Sequence, residues 1–396
     1  MIDVSSMTTP ALLLDARKLR RNVDLATQRA KSLGVQLRPH MKTSKSVDVA
    51  RLMLGETWTS MAVSTVPEVV ALYSAGVRNI RYTSPFDHRK LADLKPMIQS
   101  GLEFETLIDD PSRVAALSAA AVAHSCSIHL LIELDVDGYR AGAATGTTDL
   151  IAFAKEIMER PGLSFSGIYS FAGKTYRLPR RADRAELIER HRAALVRLAE
   201  DLRLAGINPP TIGIGGSPVL ESAAILKGLT EVCAGVYCFQ DLTQVGIGVT
   251  NIDDLAVSVL STVTQHQPAT GRIFVDAGSL ALSLDRSTGT QELDQGYGLV
   301  CDAASGLPLG DGDIIVARTS QEHGLVQRRD GKAAPADLLP VGERVRILPN
   351  HVCMTAAGHS TYKTFNSAPD EAREWRRVSG WQVEKYDADV SNWIGG

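Results

Sequence analysis

The sequence predicts an α/β chain: a (β/α)8 barrel of the TIM type followed by a smaller C-terminal β domain. Three observations carry this. Eight short apolar runs alternate with helical patterns over residues 16–250. No Gly-x-Gly-x-x-Gly opens the first strand–helix turn, which disfavours an open doubly wound sheet. After about residue 251 the helical spacing stops, and strand-like pieces follow at close intervals.

Taken in order, the expected barrel strands are Val35–Lys42, Ser60–Ser64, Asn79–Ser84, Phe104–Asp109, Ser127–Asp135, Phe165–Phe171, Thr211–Gly216 and Val232–Phe239. Helical spacing fills the gaps. Arg17–Ser32 repeats apolar residues at Leu19, Val23 and Ala26, and Pro67–Ala75 carries Glu68 in its first turn. Ala185–Ala205 is the longest, with Leu187, Ile188, Leu195, Leu198 and Leu202. The most apolar long stretch, 115–132, is interrupted by Ser118, His124, Ser125 and His129. It reads as a helix followed by a strand, not a membrane span. In the second domain, Leu255–Val263, Gly271–Val275, Asp313–Arg318 and Arg344–Ile347 are the strand candidates, with turns at Asp311-Gly312-Asp313 and Asp330-Gly331-Lys332. Ala11–Asp15 reads as a strand that pairs with this domain. The expected division is 16–250 for the barrel, and 1–15 plus 251–396 for the β domain.

Composition narrows the function. The 396 residues carry a formal charge of −3, with 44% apolar and 5% aromatic residues. No basic excess marks a nucleic-acid binder, and aromatics are too few for a base-stacking surface. The cysteines Cys126, Cys233, Cys238, Cys301 and Cys353 are odd in number and form no Cys-x-x-Cys, so a reducing, cytoplasmic setting is expected. Asp3 and the polar residues after it do not read as a signal peptide.

Four segments carry residue types suited to chemistry. The first strand ends Arg38-Pro39-His40-Met41-Lys42-Thr43-Ser44-Lys45. A lysine at a barrel mouth, desolvated and flanked by Arg38 and Lys45, would be a nucleophilic amine suited to a Schiff base. The alternative is a solvated basic loop. The seventh strand ends Gly215-Gly216-Ser217, where backbone N–H groups approach an anion; its expected place opposite the lysine strengthens a phosphate site. After the fifth strand, Arg140 reads either as a partner for a phenolate or carboxylate, or as an ion pair with Glu133 or Asp135. His351 and Cys353 stand two apart, which on a strand would put imidazole and thiolate on one face. They read as an open, zinc-like pair or as a buried cysteine beside a core histidine. His88, His124, His191 and His266 read as solvated.

Together these segments resemble the fold-type III pyridoxal-phosphate enzymes, and more closely the D-threonine aldolase / D-serine dehydratase family. The resemblance runs from Thr9-Pro10-Ala11-Leu12-Leu13-Leu14-Asp15 through Arg38–Lys45, Gly215-Gly216-Ser217 and Gly235-Val236-Tyr237 to Asp276-Ala277-Gly278-Ser279, Ser320–Gly324 and Pro349–Cys353. It implies that Lys42 holds pyridoxal 5'-phosphate. Gly216, Ser217, Gly235 and Tyr237 would hold its phosphate, Arg140 and Phe171 would flank it, and His351 and Cys353 would bind a divalent metal (zinc, or manganese or magnesium) beside it. It further implies a lyase acting on small D-configured β-hydroxy amino acids, D-serine or 3-hydroxyaspartate, as a homodimer. Members with His-x-Cys lean towards β-elimination and those with His-x-Asp towards aldol cleavage, so a dehydratase leads. A D-threonine or 3-hydroxy-D-aspartate aldolase is the alternative, followed by an amino-acid racemase or a non-catalytic cofactor carrier. The chain departs from the family pattern at Ser44, at Phe171-Ala172-Gly173-Lys174 (where Tyr-x-Gly-His is common) and at Leu280 and Leu284. Lys174 reads either as a contact for a second substrate carboxylate or as a surface residue.

Overall fold

The computed structural model describes residues 4–57, 59–145, 148–369 and 371–383. Residues 384–396, expected at the end of the β domain, lie outside the described set. The chain divides into two units. One runs to Val23 and resumes over Val236–Arg377; the other is Asp24–Gly235, joined by the chain from Val378.

The second of these is the barrel. Its parallel strands are Gln36–Pro39, Ser60–Val63, Asn79–Tyr82, Glu103–Ile108, Ile128–Asp135, Leu163–Phe171, Thr211–Gly215 and Glu231–Ala234, referred to below as strands one to eight. Each pairs with its neighbours in order, and strand eight pairs with strand one. The ring closes between strands one and two, where His40, just past strand one, bridges Ala62 of strand two and the Met41 N–H donates to the Ala62 carbonyl at 2.8 Å. All eight expected runs contain strands, with their bounds shifted by up to five residues. Strand five reads almost continuously apolar because both of its faces are covered, as parallel sheets require. The longest helix, Arg181–Leu204, buries Leu187, Ile188, His191, Leu195, Ala199 and Leu202, a stripe at helical spacing.

The barrel interior is layered. Near the strand starts lies a buried ionic group. Glu231 accepts from Arg81 and from Arg38 (Nε–Oε2, 3.0 Å), and Glu105 accepts from Arg81 at 2.8 Å. Burial alone would raise the Glu231 pKa, but Arg81 and Arg38 outweigh it and hold the carboxyl at about 2. Next comes a layer of Ala62, Leu107, Leu131, Tyr169 and Cys233, with Phe171 packed against it.

The other unit is a nine-stranded sheet in the order Arg272–Val275, Gly324–Arg328, Ile314–Thr319, Leu299–Asp302, Arg344–Leu348, Val257–Gln267, Ala11–Asp15, Thr361–Phe365, Glu374–Arg376. Ala11–Asp15 is buried along its whole length, between antiparallel Val257–Gln267 and parallel Thr361–Phe365. The four expected C-terminal strands are present. Leu299–Asp302, Gly324–Arg328, Thr361–Phe365 and Glu374–Arg376 were not anticipated; they are short, and distant pairing rather than local alternation stabilises them.

Candidate active site

Strand one ends at Pro39, and the chain turns sharply over 41–44 before the helix Val47–Leu54. Lys42 projects from this turn and is exposed. That corrects the expected desolvation. The expected cationic neighbours are also spent elsewhere: Arg38 is buried against Glu231, and Lys45 donates to Glu68. The nearest polar anchor is His40. Its Nδ1 accepts the Lys42 backbone N–H at 3.2 Å, which leaves Nε2–H for Thr83 Oγ1 at 2.7 Å. Burial, then the charges of Lys42, Lys45 and Arg140, push the His40 pKa well below its usual value, so the imidazole is neutral.

Phe171, at the end of strand six, is the hub of the mouth. Lys42 Nζ lies 5.9 Å from its ring centre, the Arg140 guanidinium carbon lies 4.4 Å from it, and Tyr176 stacks on it at 6.3 Å. The Ser217 backbone N–H donates to the Tyr176 hydroxyl at 3.0 Å. One contiguous chain thus joins the lysine, Arg140, the aromatic ring and the glycine-rich turn. Among the described residues no carboxylate lies within ion-pair distance of Arg140, which leaves its guanidinium for another partner.

The turn after strand seven is not opposite the lysine. Strand eight alone separates it from strand one. Gly216 has φ +132°, which favours glycine, and nothing crowds its missing side chain closer than 3.5 Å. A Cβ at Gly215 would sit 1.9 Å from the Tyr169 hydroxyl, and one at Gly235 would sit 3.0 Å from the His40 carbonyl. These close approaches, an exposed lysine, an unpaired guanidinium and a stacked ring fit pyridoxal phosphate. Sequence reasoning weighed Glu133 only as an ion-pair partner for Arg140 and did not place it in the interior. It faces the interior beside Tyr169 in register, 7% exposed, with Oε1 lacking a hydrogen bond. Burial is the main cause of its pKa rising to about 7, against the pull of Arg140. An interior charged residue inside an otherwise apolar run was the available signal.

Tyr237, His351 and Cys353 belong to the other unit. Tyr237 is buried in the turn Val236–Cys238. His351 and Cys353 are not on a strand. Arg344–Leu348 has ended, His351 is the N-cap of the helix Val352–Ala357, and Cys353 lies in that helix. The two side chains still meet in a hydrogen bond. Asp285 Oδ2 lies 2.7 Å from His351 Nδ1, and buried Asp241 accepts the Val352 N–H at 3.1 Å. Burial would lower the His351 pKa; hydrogen bonds to Asp285 and Cys353 and the charge of Asp241 more than offset it, to about 11. Burial chiefly raises Asp241 to about 6. An imidazole backed by a carboxylate on Nδ1, with its Nε2 side left for a thiolate, is the usual orientation of a metal-ligating histidine. The donor set therefore fits a divalent metal with two protein ligands. Among the described residues no group of three His, Cys, Asp or Glu side chains completes a cage.

A closed parallel barrel with a lysine at its mouth and a glycine-rich turn two strands away, followed by a β domain, defines an alanine racemase-like pyridoxal-phosphate enzyme of fold-type III. Residues 14–242 match the family described as "Alanine racemase, N-terminal domain", and residues 256–365 match "Putative serine dehydratase domain". The chain belongs to this family, in the branch that contains D-serine dehydratases, D-threonine aldolases and 3-hydroxyaspartate dehydratases. It is 36% identical to the D-threo-3-hydroxyaspartate dehydratase of Delftia sp. over 95% of this chain and 98% of that one. It is 27% identical to the D-serine dehydratase of Dictyostelium discoideum over 92% of this chain and 95% of that one. The solved Delftia enzyme superposes with a TM-score of 0.91 at 36% identity, covering 96% of this chain and 100% of that chain. A cysteine-to-alanine mutant of a D-threo-3-hydroxyaspartate dehydratase, solved in a metal-free form, superposes with a TM-score of 0.90 at 35% identity, over 96% of this chain and 100% of that one. These homologues are lyases.

Proposed function

We propose that the chain is a pyridoxal-phosphate- and divalent-metal-dependent dehydratase of D-configured β-hydroxy amino acids, with 3-hydroxyaspartate as its leading substrate. The products are a 2-oxo acid and ammonia. The observation that carries this reading is the His351–Cys353 pair with Asp285 behind it, in a chain so similar to a D-threo-3-hydroxyaspartate dehydratase. That a similar D-threo-3-hydroxyaspartate dehydratase is described in a metal-free form supports a metal in this branch of the family.

When bound, the cofactor ring supplies an electron sink and the metal a Lewis acid. The chain's own residues do the rest. Lys42 Nζ holds the cofactor and, once free, takes the substrate α-proton. Arg140, stacked on Phe171 with no carboxylate in ion-pair reach among the described residues, would orient the cofactor. The glycine-rich turn at Gly216 and Ser217, with Gly235 beside it, would cradle the phosphate, since no side chain at the glycines blocks a close approach. Phe171 would line the mouth beside Lys42 and Arg140. His351 Nε2 and Cys353 Sγ hold the metal. The reading includes a cytoplasmic homodimer, supported by the family resemblance. Among the described residues no helix is long and apolar enough to cross a membrane.

The test is turnover of 3-hydroxyaspartate, D-serine and D-threonine by holoprotein, with and without chelator, after borohydride mapping of the cofactor. Oxo acid and ammonia, lost on chelation, with label on Lys42, are the expected results. Glycine plus an aldehyde would make the chain an aldolase. Label on another residue would overturn the site.

A further inference from the structure

The loop 136–142, which carries Arg140, leaves strand five at Asp135 and returns as Ala143–Ala144 to pair beside Leu134 and Asp135. Its hold on the barrel is unusual. Asp135 Oδ1 accepts the N–H groups of Gly138 (2.8 Å) and Tyr139 (3.1 Å), which closes the loop on itself. Lys174, the residue that departs from the family pattern, donates from Nζ to the Asp137 carbonyl. It is thus engaged with this loop. Beside it lies a cluster around His191, which sequence reasoning placed in solvent. His191, on the helix Arg181–Leu204, is fully buried, with Nδ1 at 3.0 Å from Ser170 Oγ and Nε2 at 3.3 Å from Asp137 Oδ2.

The contacts fix the roles. The Ser170 hydroxyl donates to the Leu134 carbonyl at 2.8 Å, so its oxygen accepts from His191 Nδ1–H, while Nε2 faces Asp137 Oδ2 at ion-pair distance without hydrogen-bond geometry. Ser170 precedes Phe171, so the cluster ties the Arg140 loop to the strand end that carries the stacking ring. The arrangement has the residue types of a hydrolytic triad, but Ser170 is sealed from solvent and cannot meet a substrate. The Asp137 carboxylate is 6% exposed and has no hydrogen bond of good geometry. Burying such a group is costly, and an apolar pair would pack the same space more cheaply. Its retention calls for a positional role.

The geometry points to His191 and Asp137 as positioning residues that, with Lys174, clasp the 136–142 loop so that the Arg140 guanidinium stays on Phe171 and faces the cofactor. This rests on the proposed cofactor role of Arg140. The test is a double-mutant cycle with full-length protein. His191→Leu is expected to weaken pyridoxal-phosphate half-saturation about tenfold and to shift the visible band of the holoprotein. In an Arg140→Lys background the same change is expected to cost less than about twofold, because the group it positions is already altered. In cofactor-free protein, hydrogen exchange at the Gly138 and Tyr139 amides should quicken. Asp137→Asn should act in the same direction and carries the comparison if His191→Leu does not fold. Additive effects with Arg140→Lys, or unchanged exchange at those amides, would overturn the clasp. If Arg140→Lys alone leaves affinity and band unchanged, the cofactor role of Arg140 fails, while amide exchange still judges the clasp.

Discussion

Removing the Asp285 carboxylate is the sharpest probe of the His-Cys centre. Asp285 Oδ2 lies 2.7 Å from His351 Nδ1, with side chains 28% and 37% exposed. An ion pair that open contributes about 0–1 kcal/mol to stability, so Asp285→Ala should hardly move the unfolding transition. Metal binding should respond differently. Asp285 fixes the imidazole with Nε2 free and raises its basicity, and losing such a partner weakens metal affinity by about 10–100-fold, or about 1.4–2.7 kcal/mol. Solvent access favours the lower end of that range. The assay is zinc and manganese competition against a chromogenic chelator, with Cys353→Ala in parallel. Affinity within twofold of the natural chain for Asp285→Ala, beside a loss above tenfold for Cys353→Ala, would show that the Asp285 contact is an ordinary surface pair.

Three other perturbations have defined outcomes. Glu231→Gln should destabilise the chain by about 3 kcal/mol at neutral pH, since a carboxyl held at about 2 against a usual 4.5 contributes that much. Its folded pKa is depressed, so the contribution is complete above about 4.5 and fades as pH falls towards 2; urea unfolding at pH 7 and pH 3 should show the gap between variant and natural chain closing. Gly215→Ala puts a methyl 1.9 Å from the Tyr169 hydroxyl inside a packed barrel, which should cost about 1–3 kcal/mol and impair cofactor retention; a fully loaded variant of natural thermal stability would contradict the close approach. Phe171→Leu removes the ring that both Lys42 and Arg140 face, and should loosen cofactor binding several-fold, read by dialysis against buffer; retention equal to the natural chain would contradict the role of the ring.

The barrel was legible because its strands are buried on both faces. Runs such as 128–135 therefore announce themselves locally, and the helices between them repeat at a fixed spacing. The positions of Lys42, Arg140 and the turn at 215–217 just past strand ends were legible for a related reason, since those ends can be counted. Other features were misread. Lys42 was expected to be desolvated, yet the turn over 41–44 throws it outward. His351 and Cys353 were expected on a strand, but a helix starts at 352 and the cap geometry brings them together instead. His191 was assigned to solvent because its sequence context is polar; only helix rotation turns it inward.

Local pattern alone thus determined the fold class, the lysine at the first strand end and the placement of a His-x-Cys pair in a separate β unit. Tertiary structure decided the partners. Asp285 reaches His351 across 66 residues, Phe171 meets both Lys42 and Arg140, and Asp137 finds His191 across a barrel wall. Periodicity and turn chemistry act between near neighbours, where sequence records them directly. Which distant charge faces which depends on strand order, register and helix rotation, and those are settled only when the whole chain closes on itself.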